Sequence, residues 1–253
     1  MKILTVDIGN SNICIGCVKD HKVEFVERLN SDRHKTDLEY AVLCKTVLEL
    51  HQIDIAALRG AIISSVVPPL TELLCKAIEK LTGIRALVVG PGMKTGINIL
   101  PQGVGADLVV GAVAAIQFYG APAIIIDMGT ATTMTVVDKN KCFTGGVILP
   151  GIALALQALE SGTAQLPHIQ LEAPKKTILT DTIECMQAGA VYGSAGAIDA
   201  LIERMTDELG YDATVIASGG LAPMIVPHCK HKVIIDDELL LKGLDILFYK
   251  NCK

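Results

Sequence analysis

The sequence predicts an α/β protein made of two similar halves, each a mixed β-sheet flanked by helices. Two similar segments indicate that the halves arose by duplication: KILTVDIGNSN at 2–12 and AIIIDMGTATT at 123–133. Each is an apolar run that ends in Asp, followed by Gly and small polar residues. In addition, both halves show the element order β-β-β-α-β-α-β-α. A long-period duplication is therefore expected, rather than an array of short repeats.

The first half begins with three strand patterns separated by turn residues, so these strands are expected to be antiparallel. Later strands follow helices and are expected to join by crossovers. Its predicted elements are strands at 2–7, 12–18 and 23–29, a helix at 36–51, a strand at 61–67, a helix at 69–81, a strand at 86–89 and a helix at 105–118.

The second half repeats this order with one additional helix. Its predicted elements are strands at 122–127, 131–137 and 142–148, helices at 151–162 and 180–209, a strand at 213–217, a helix at 220–226, a strand at 232–235 and a helix at 237–249. The expected domains are therefore residues 1–118 and 119–253. Long irregular stretches at 90–104 and 163–179 are typical of functional loops.

Composition narrows the class of protein. Hydrophobic residues make up 51% of the chain and charged residues 19%, which is typical of a globular core rather than of disorder. The net charge of −5 and the dispersed basic residues argue against nucleic acid as a partner. Without a signal-peptide pattern or a membrane-length apolar run, we expect a cytoplasmic protein and no membrane association. Reduced thiols are expected for the eight cysteines, including Cys14 and Cys17.

The paired Asp-x-Gly segments indicate phosphate chemistry, because the chain has no Walker A pattern and no GxGxxG opening a βαβ unit. We expect the two turns to face each other across a cleft and hold a nucleoside triphosphate. Asp7 would hold Mg²⁺ directly or through water, and Asp127 would supply a second carboxylate for a cation. The groups expected to meet phosphate oxygens are Asn10, Ser11, Asn12 and Thr130. Either Asp alone is better explained as a turn residue capping its own backbone, but the matched pair favours function.

Three motifs, DIGNSN, DMGTATT and IASGG at 216–220, occur in an order that resembles the phosphate and adenosine motifs of the acetate and sugar kinase, heat-shock ATPase and actin superfamily. The resemblance is narrowed to type III pantothenate kinases by three further features: GAD at 105–107, GGVILPG at 145–151, and Thr182 before MQAG. It covers essentially the whole chain. It implies duplicated ribonuclease H-like domains, each a mixed five-stranded sheet with flanking helices.

The resemblance implies ATP-dependent phosphorylation of pantothenate to 4′-phosphopantothenate, the first step of coenzyme A synthesis. It also implies Mg²⁺, a monovalent cation (K⁺ or NH₄⁺) and a homodimer. Asp107 matches the general base, and Asp127 matches the monovalent-cation ligand. The positions that match ATP contacts are Asp7, Ile8, Gly9, Asn10, Ser11, Asn12 and Thr130. The positions that match pantothenate contacts are Gly105, Ala106, Asp107, Leu108 and, across the dimer interface, Thr182.

Two departures from the family pattern concern the part of the site that matches pantothenate contacts. Leu108 stands where the family usually has Arg, which removes a planar cation that could hold a carboxylate. The segment 97–101 is also short and lacks the Tyr often found there. These departures leave two alternatives open: a non-catalytic nucleotide-binding regulatory relative, and a kinase for another small alcohol.

Overall fold

The computed structural model describes residues 1–252, which form two compact units. Unit 1 contains Met1–Gln117 and the C-terminal residues from Glu238, and unit 2 is Phe118–Asp237. The C-terminal helix differs from the expected division, because it belongs to unit 1 rather than to the second half.

The strands are β1 (Lys2–Ile8), β2 (Asn12–Lys19), β3 (Lys22–Asn30), β4 (Leu58–Ser65), β5 (Leu87–Val88), β6 (Asn98–Ile99), β7 (Ala123–Met128), β8 (Ala131–Val137), β9 (Cys142–Pro150), β10 (Thr214–Ser218) and β11 (Ile234–Ile235). The helices are α1 (Asp37–Leu50), α2 (Pro68–Thr82), α3 (Ala106–Tyr119), α4 (Ile152–Gly162), α5 (Thr182–Leu209), α6 (Ala222–Ile225) and α7 (Leu239–Asn251), with 3₁₀ turns at Ile55–Ala57 and Val226–His228.

In unit 1 the strand order is β3-β2-β1-β4-β5. Short turns join β1, β2 and β3, and these strands pair antiparallel. Strand β4 is reached through α1 and pairs parallel with β1, and β5 pairs parallel with β4 after α2. The mixed sheet therefore follows from the connections: tight turns permit only antiparallel neighbours, whereas helical crossovers permit parallel ones.

Unit 2 repeats this arrangement with the order β9-β8-β7-β10-β11. Strands β7, β8 and β9 pair antiparallel, whereas β10 and β11 extend the sheet in parallel from β7. The predicted α/β fold and its duplication are confirmed by the matching strand orders of the two units.

Helices cover both faces of the unit 1 sheet, which explains why β1 is apolar almost throughout. One face, with Leu4 and Val6, packs on α1 and α2. The opposite face, with Ile3, packs on α3 and α7. Burial on both faces of the sheet therefore extends along β1 as far as Asp7, the residue before its end.

Helix α7 packs on unit 1 because two strands lack side chains where the helix approaches. A Cβ on Gly60 would overlap the Phe248 ring, and a Cβ on Gly16 would overlap the Leu241 side chain. Both large side chains are buried in these gaps. The apolar face of α7 thus completes the second core of unit 1.

The unit 2 core lies between its sheet and α5. Ile124 and Ile126 of β7 pack with Val191, Ala195 and other residues spaced along the helix. Asp181 caps α5 by accepting hydrogen bonds from the N–H groups of Ile183 and Glu184 at 3.0 and 3.1 Å.

Between residues 1 and 252, no helix combines the length and the apolar character needed to cross a membrane.

Candidate active site

The turn after β1 exposes three polar side chains at the end of the strand. The Gly9 N–H donates to the Asn12 carbonyl at 2.9 Å, and the Ser31 hydroxyl donates to the Gly9 carbonyl at 2.6 Å. These bonds close the turn and leave the side chains of Asn10, Ser11 and Asn12 exposed. The turn can therefore offer hydroxyl and amide groups to an anion.

Asp7 lies just before this turn and is 9% exposed. The strand register places it beside Cys14 of β2 and Ser64 of β4, so the three side chains share one face of the sheet. Burial, together with the nearby Asp7 carboxylate, raises the pKa of the Cys14 thiol to about 12. The thiol is therefore neutral at physiological pH.

Ser64 is fully buried, and its hydroxyl has no hydrogen-bond partner among residues 1–252. The adjacent Ser65 differs: its hydroxyl oxygen accepts from the Val67 N–H at 3.0 Å and from the Thr71 hydroxyl at 2.7 Å. An unsatisfied hydroxyl next to Asp7 marks a place where a further polar group can bind.

Asp107 occupies the first turn of α3. Its Oδ1 accepts a hydrogen bond from the Leu108 N–H at 2.8 Å. Burial raises the pKa of the Asp107 carboxyl above its ordinary value, and that N–H offsets part of the effect. A Cβ on Gly105 would lie 2.5 Å from the same Oδ1, so glycine is needed for this carboxylate position.

A cavity of about 640 Å³ lies between the 89–104 loop and the start of α3. Gly105 and Ala106 line it, whereas Asp107 and Leu108 are not among its described lining residues. Its wall is mainly apolar and includes Val66, Val89, Met93, Ile97, Ile99 and Val109. The structure thus brings two predicted substrate residues to one cavity, with the Asp107 carboxylate on the following residue of the chain.

In unit 2, Asp127 lies near the end of β7, opposite Thr133 of β8 and beside Ser218 of β10. The Thr133 hydroxyl is buried without a hydrogen-bond partner in the described part of the chain. Asp127 is therefore placed like Asp7: one carboxylate between two strands that carry a hydroxyl or thiol on the same face.

Thr130 is exposed in the turn that follows, where the Gly129 N–H donates to the Ala131 carbonyl at 3.1 Å. The Gly151 N–H donates to the Thr130 carbonyl, also at 3.1 Å. A Cβ on Gly151 would overlap that carbonyl, so glycine at 151 permits the close approach.

Gly219 follows β10 with φ +101°. A Cβ there would lie 2.6 Å from the Met128 carbonyl oxygen. Glycine is thus required for packing within the sheet of unit 2, a reason that the sequence pattern does not reveal.

Thr182 is the first residue of α5 and is exposed. It lines a second cavity, of about 620 Å³, between α4, α5 and the end of β9. Most of this wall is apolar and includes Met128, Leu149, Ile152, Leu156, Leu159 and Met186. Within unit 2, Thr182 therefore supplies one of few hydroxyl groups to an otherwise apolar surface.

Sequence reasoning missed the hydroxyls of Ser64 and Thr133 and the walls of both cavities. An apolar strand that ends in Ser carries no functional signal by itself. Only the pairing register shows that Ser64 lies beside Asp7 and Thr133 beside Asp127.

Comparison with known proteins gives the family. The sequence model of type III pantothenate kinase matches residues 3–204. A type III pantothenate kinase of Bacillus cytotoxicus is 43% identical over 252 residues, covering 98% of this chain and 96% of that protein.

Two solved structures show the same fold at low sequence identity. A Campylobacter jejuni protein of the Baf family, whose name designates it a transcriptional activator, has a TM-score of 0.62 at 20% identity, covering 97% of both chains. Component A of (R)-2-hydroxyglutaryl-CoA dehydratase from Acidaminococcus fermentans has a TM-score of 0.58 at 14% identity, covering 96% of this chain and 95% of that one. These proteins therefore share the fold of this chain although their sequences differ from it. By its sequence, this chain belongs to the type III pantothenate kinase family.

Proposed function

We propose that this chain catalyses ATP-dependent phosphorylation of pantothenate to 4′-phosphopantothenate, the first step of coenzyme A synthesis. The observation that carries this proposal is the GAD segment in a chain of this family. Gly105 and Ala106 line a cavity large enough for a small molecule such as pantothenate. The next residue, Asp107, is half-buried and its carboxyl has a raised pKa. Perturbed carboxyls beside a cavity are typical of catalytic sites.

In this reaction the 4′-hydroxyl oxygen attacks the γ-phosphorus of ATP, and the bond to the β–γ bridging oxygen breaks to release ADP. Asp107 accepts the hydroxyl proton and orients the attacking oxygen. Phosphoryl transfer depends mainly on such positioning and on charge stabilisation. Gly105, Ala106 and Leu108 would contact pantothenate. Leu108 supplies apolar surface where an Arg would supply charge, so the pantothenate carboxylate must be held by other groups.

The ATP phosphates would be met by the turn that runs from Asp7 through Ile8, Gly9, Asn10, Ser11 and Asn12, and by Thr130. Mg²⁺ would be held at Asp7, because Ser64 beside it carries a hydroxyl and the following turn offers amide and hydroxyl oxygens, which hard cations prefer to the thiol of Cys14 on the other side. A monovalent cation fits at Asp127, where the unsatisfied Thr133 hydroxyl could complete an oxygen-rich shell. These cations would neutralise phosphate charge during transfer.

The direct test is turnover by the purified chain with ATP, Mg²⁺, K⁺ and pantothenate. We expect one ADP for each phosphopantothenate formed. A panel of other small alcohols tests the alternative acceptor that Leu108 suggests. Turnover with another alcohol but not with pantothenate would reject the substrate assignment, and nucleotide binding without any turnover would favour a regulatory relative.

The acid limb of the pH profile provides a prediction for Asp107. A general base works only when ionised, so kcat/KM for pantothenate should fall as the pH drops through the pKa of this carboxyl. Because burial raises that pKa, the fall should be centred above the ordinary Asp value of about 3.9. The measurement is kcat/KM from neutral pH downward, with circular dichroism at each pH. A profile that stays flat until the protein unfolds would contradict the role.

Exchange of the monovalent cation tests Asp127. Replacing K⁺ or NH₄⁺ with Na⁺ at constant ionic strength and constant Mg²⁺ should lower kcat several-fold, because the smaller ion fits a K⁺-sized oxygen shell poorly. Asp127→Asn should lose most of this dependence on cation identity. Equal rates in Na⁺ and K⁺ for the unmodified chain would reject a selective monovalent site.

We also propose a homodimer in which Thr182 of one subunit contacts pantothenate bound by the other. Support comes from exposed apolar side chains in the same region of unit 2. Ile183 on α5 is 44% exposed, and Ile148 on β9 is 75% exposed. Exposed apolar groups around a cavity are typical of surfaces that another protein chain covers.

A further inference from the structure

Ser64 is the starting point, because it combines full burial with an unsatisfied hydroxyl. It ends a run of strand β4 in which Ala61, Ile62 and Ile63 are also buried. Its exposed fraction is 0%, and no hydrogen-bond partner for its hydroxyl lies among residues 1–252. Alanine at this position would avoid the unfavourable burial of a lone hydroxyl. The best explanation for the serine is therefore a bound ligand that supplies the hydrogen-bond partner of its hydroxyl.

The neighbourhood of Ser64 indicates which ligand this is. The parallel register places Ser64 directly beside Asp7, with strand axes about 4.8 Å apart and both side chains on one face. Mg²⁺ keeps several of its waters when a protein carboxylate holds it. Each of these waters is a hydrogen-bond donor, and a serine hydroxyl accepts as well as donates.

We propose that Ser64 is a positioning residue for the divalent cation of the bound nucleotide. Its hydroxyl accepts a hydrogen bond from a water on the Mg²⁺ that Asp7 holds. This role rests on the proposed function, because that function supplies the Mg²⁺–nucleotide complex, and it assigns a second protein group to the cation.

Cys14, on the other side of Asp7, does not serve the same purpose. A thiol is a weak hydrogen-bond acceptor and donor. Ser64 is thus the strong hydrogen-bonding side chain among the two strand neighbours of Asp7.

The test measures Mg²⁺ binding without requiring catalysis. The full chain is held with a fixed concentration of ADP while Mg²⁺ is titrated, and the melting temperature is followed by circular dichroism. For Ser64→Ala we expect the Mg²⁺ midpoint to rise about tenfold or more, because outer-shell partners typically change metal affinity by that much. The melting temperature without ligand should not fall, because the lost hydroxyl has no partner there.

Thr5→Val is the matched control. Thr5 is also fully buried in this sheet, but its hydroxyl donates to the Gly16 carbonyl at 3.2 Å. This variant should lower the melting temperature without ligand and leave the Mg²⁺ midpoint unchanged. Ser64→Ala with an unchanged Mg²⁺ midpoint, or with a ligand-free melting temperature lowered as in Thr5→Val, would overturn the proposal.

The measurement separates this inference from the proposed function. A chain that shows Mg²⁺-dependent stabilisation by ADP but no turnover of pantothenate would contradict the substrate assignment alone, while the midpoints would still decide the role of Ser64. A chain that shows no Mg²⁺-dependent stabilisation would overturn the role of Ser64 directly.

Discussion

Replacing Asp107 with Asn is expected to lower kcat for pantothenate by roughly a hundred- to ten-thousand-fold, the range that general-base catalysis contributes. The amide has nearly the same shape, and its oxygen can still accept the Leu108 N–H. It cannot accept the substrate proton. ATP affinity, measured by calorimetry, should stay close to that of the unmodified chain, because Asp107 is assigned to the acceptor rather than to the nucleotide.

Stability distinguishes a catalytic loss from an unfolded variant. The pKa of Asp107 is raised in the folded protein, so between its unfolded and folded pKa values the folded state binds more protons and stability falls as pH rises. At neutral pH the ionised carboxylate therefore costs stability. Asp107→Asn removes this cost, and its melting temperature should be equal or higher.

Asp37→Asn provides the matched control. Asp37 also lies in the first turn of a helix, but it pairs with Lys80 on the surface at 2.6 Å. This variant should retain turnover. Full activity of Asp107→Asn would reject the general-base assignment, and loss of ATP binding in that variant would place Asp107 at the nucleotide instead.

Replacing Phe248 with Ala should destabilise unit 1 by about 3–5 kcal/mol, the usual range for a large buried aromatic residue. The ring occupies the gap that Gly60 leaves on β4, and the side chain is 4% exposed. Removing it opens a cavity between α7 and the sheet. Since whole domains are stable by only about 5–15 kcal/mol, this loss is a large share of the total.

Denaturant unfolding followed by circular dichroism measures this effect, because the chain contains no Trp for fluorescence. Cys252→Ser is the control: Cys252 is exposed just after the same helix, and its change should stay within about 0.5 kcal/mol. Equal unfolding midpoints for Phe248→Ala and the unmodified chain would show that α7 is dispensable for unit 1.

Much of the fold could be predicted from local patterns. The order of strands and helices follows from periodicity, and most observed bounds lie within two residues of the expected ones. Local patterns could not predict that α7 packs on unit 1. Its leucines show that one helix face is buried, but the glycines that receive the helix lie at 16 and 60, far away along the chain.

The residues of the candidate site likewise fall into two groups: those that the sequence identifies and those that only the structure identifies. DIGNSN and DMGTATT identify Asp7 and Asp127, because an Asp at the end of an apolar strand followed by glycine is a local pattern. Their neighbours Ser64 and Thr133 belong to other strands, so they become visible only through the register. The sequence likewise identifies Gly105 and Ala106 but not the cavity that they line.

The sequence by itself therefore determined the duplication, the element order, the family and the identity of the paired carboxylates. The tertiary structure alone decided that α7 completes unit 1, that Gly219 packs against the end of β7, and that a buried hydroxyl lies beside Asp7. The physical reason is the range of the interactions. Periodicity and turn chemistry act over a few residues, whereas strand register and helix docking depend on side chains brought together from distant parts of the chain.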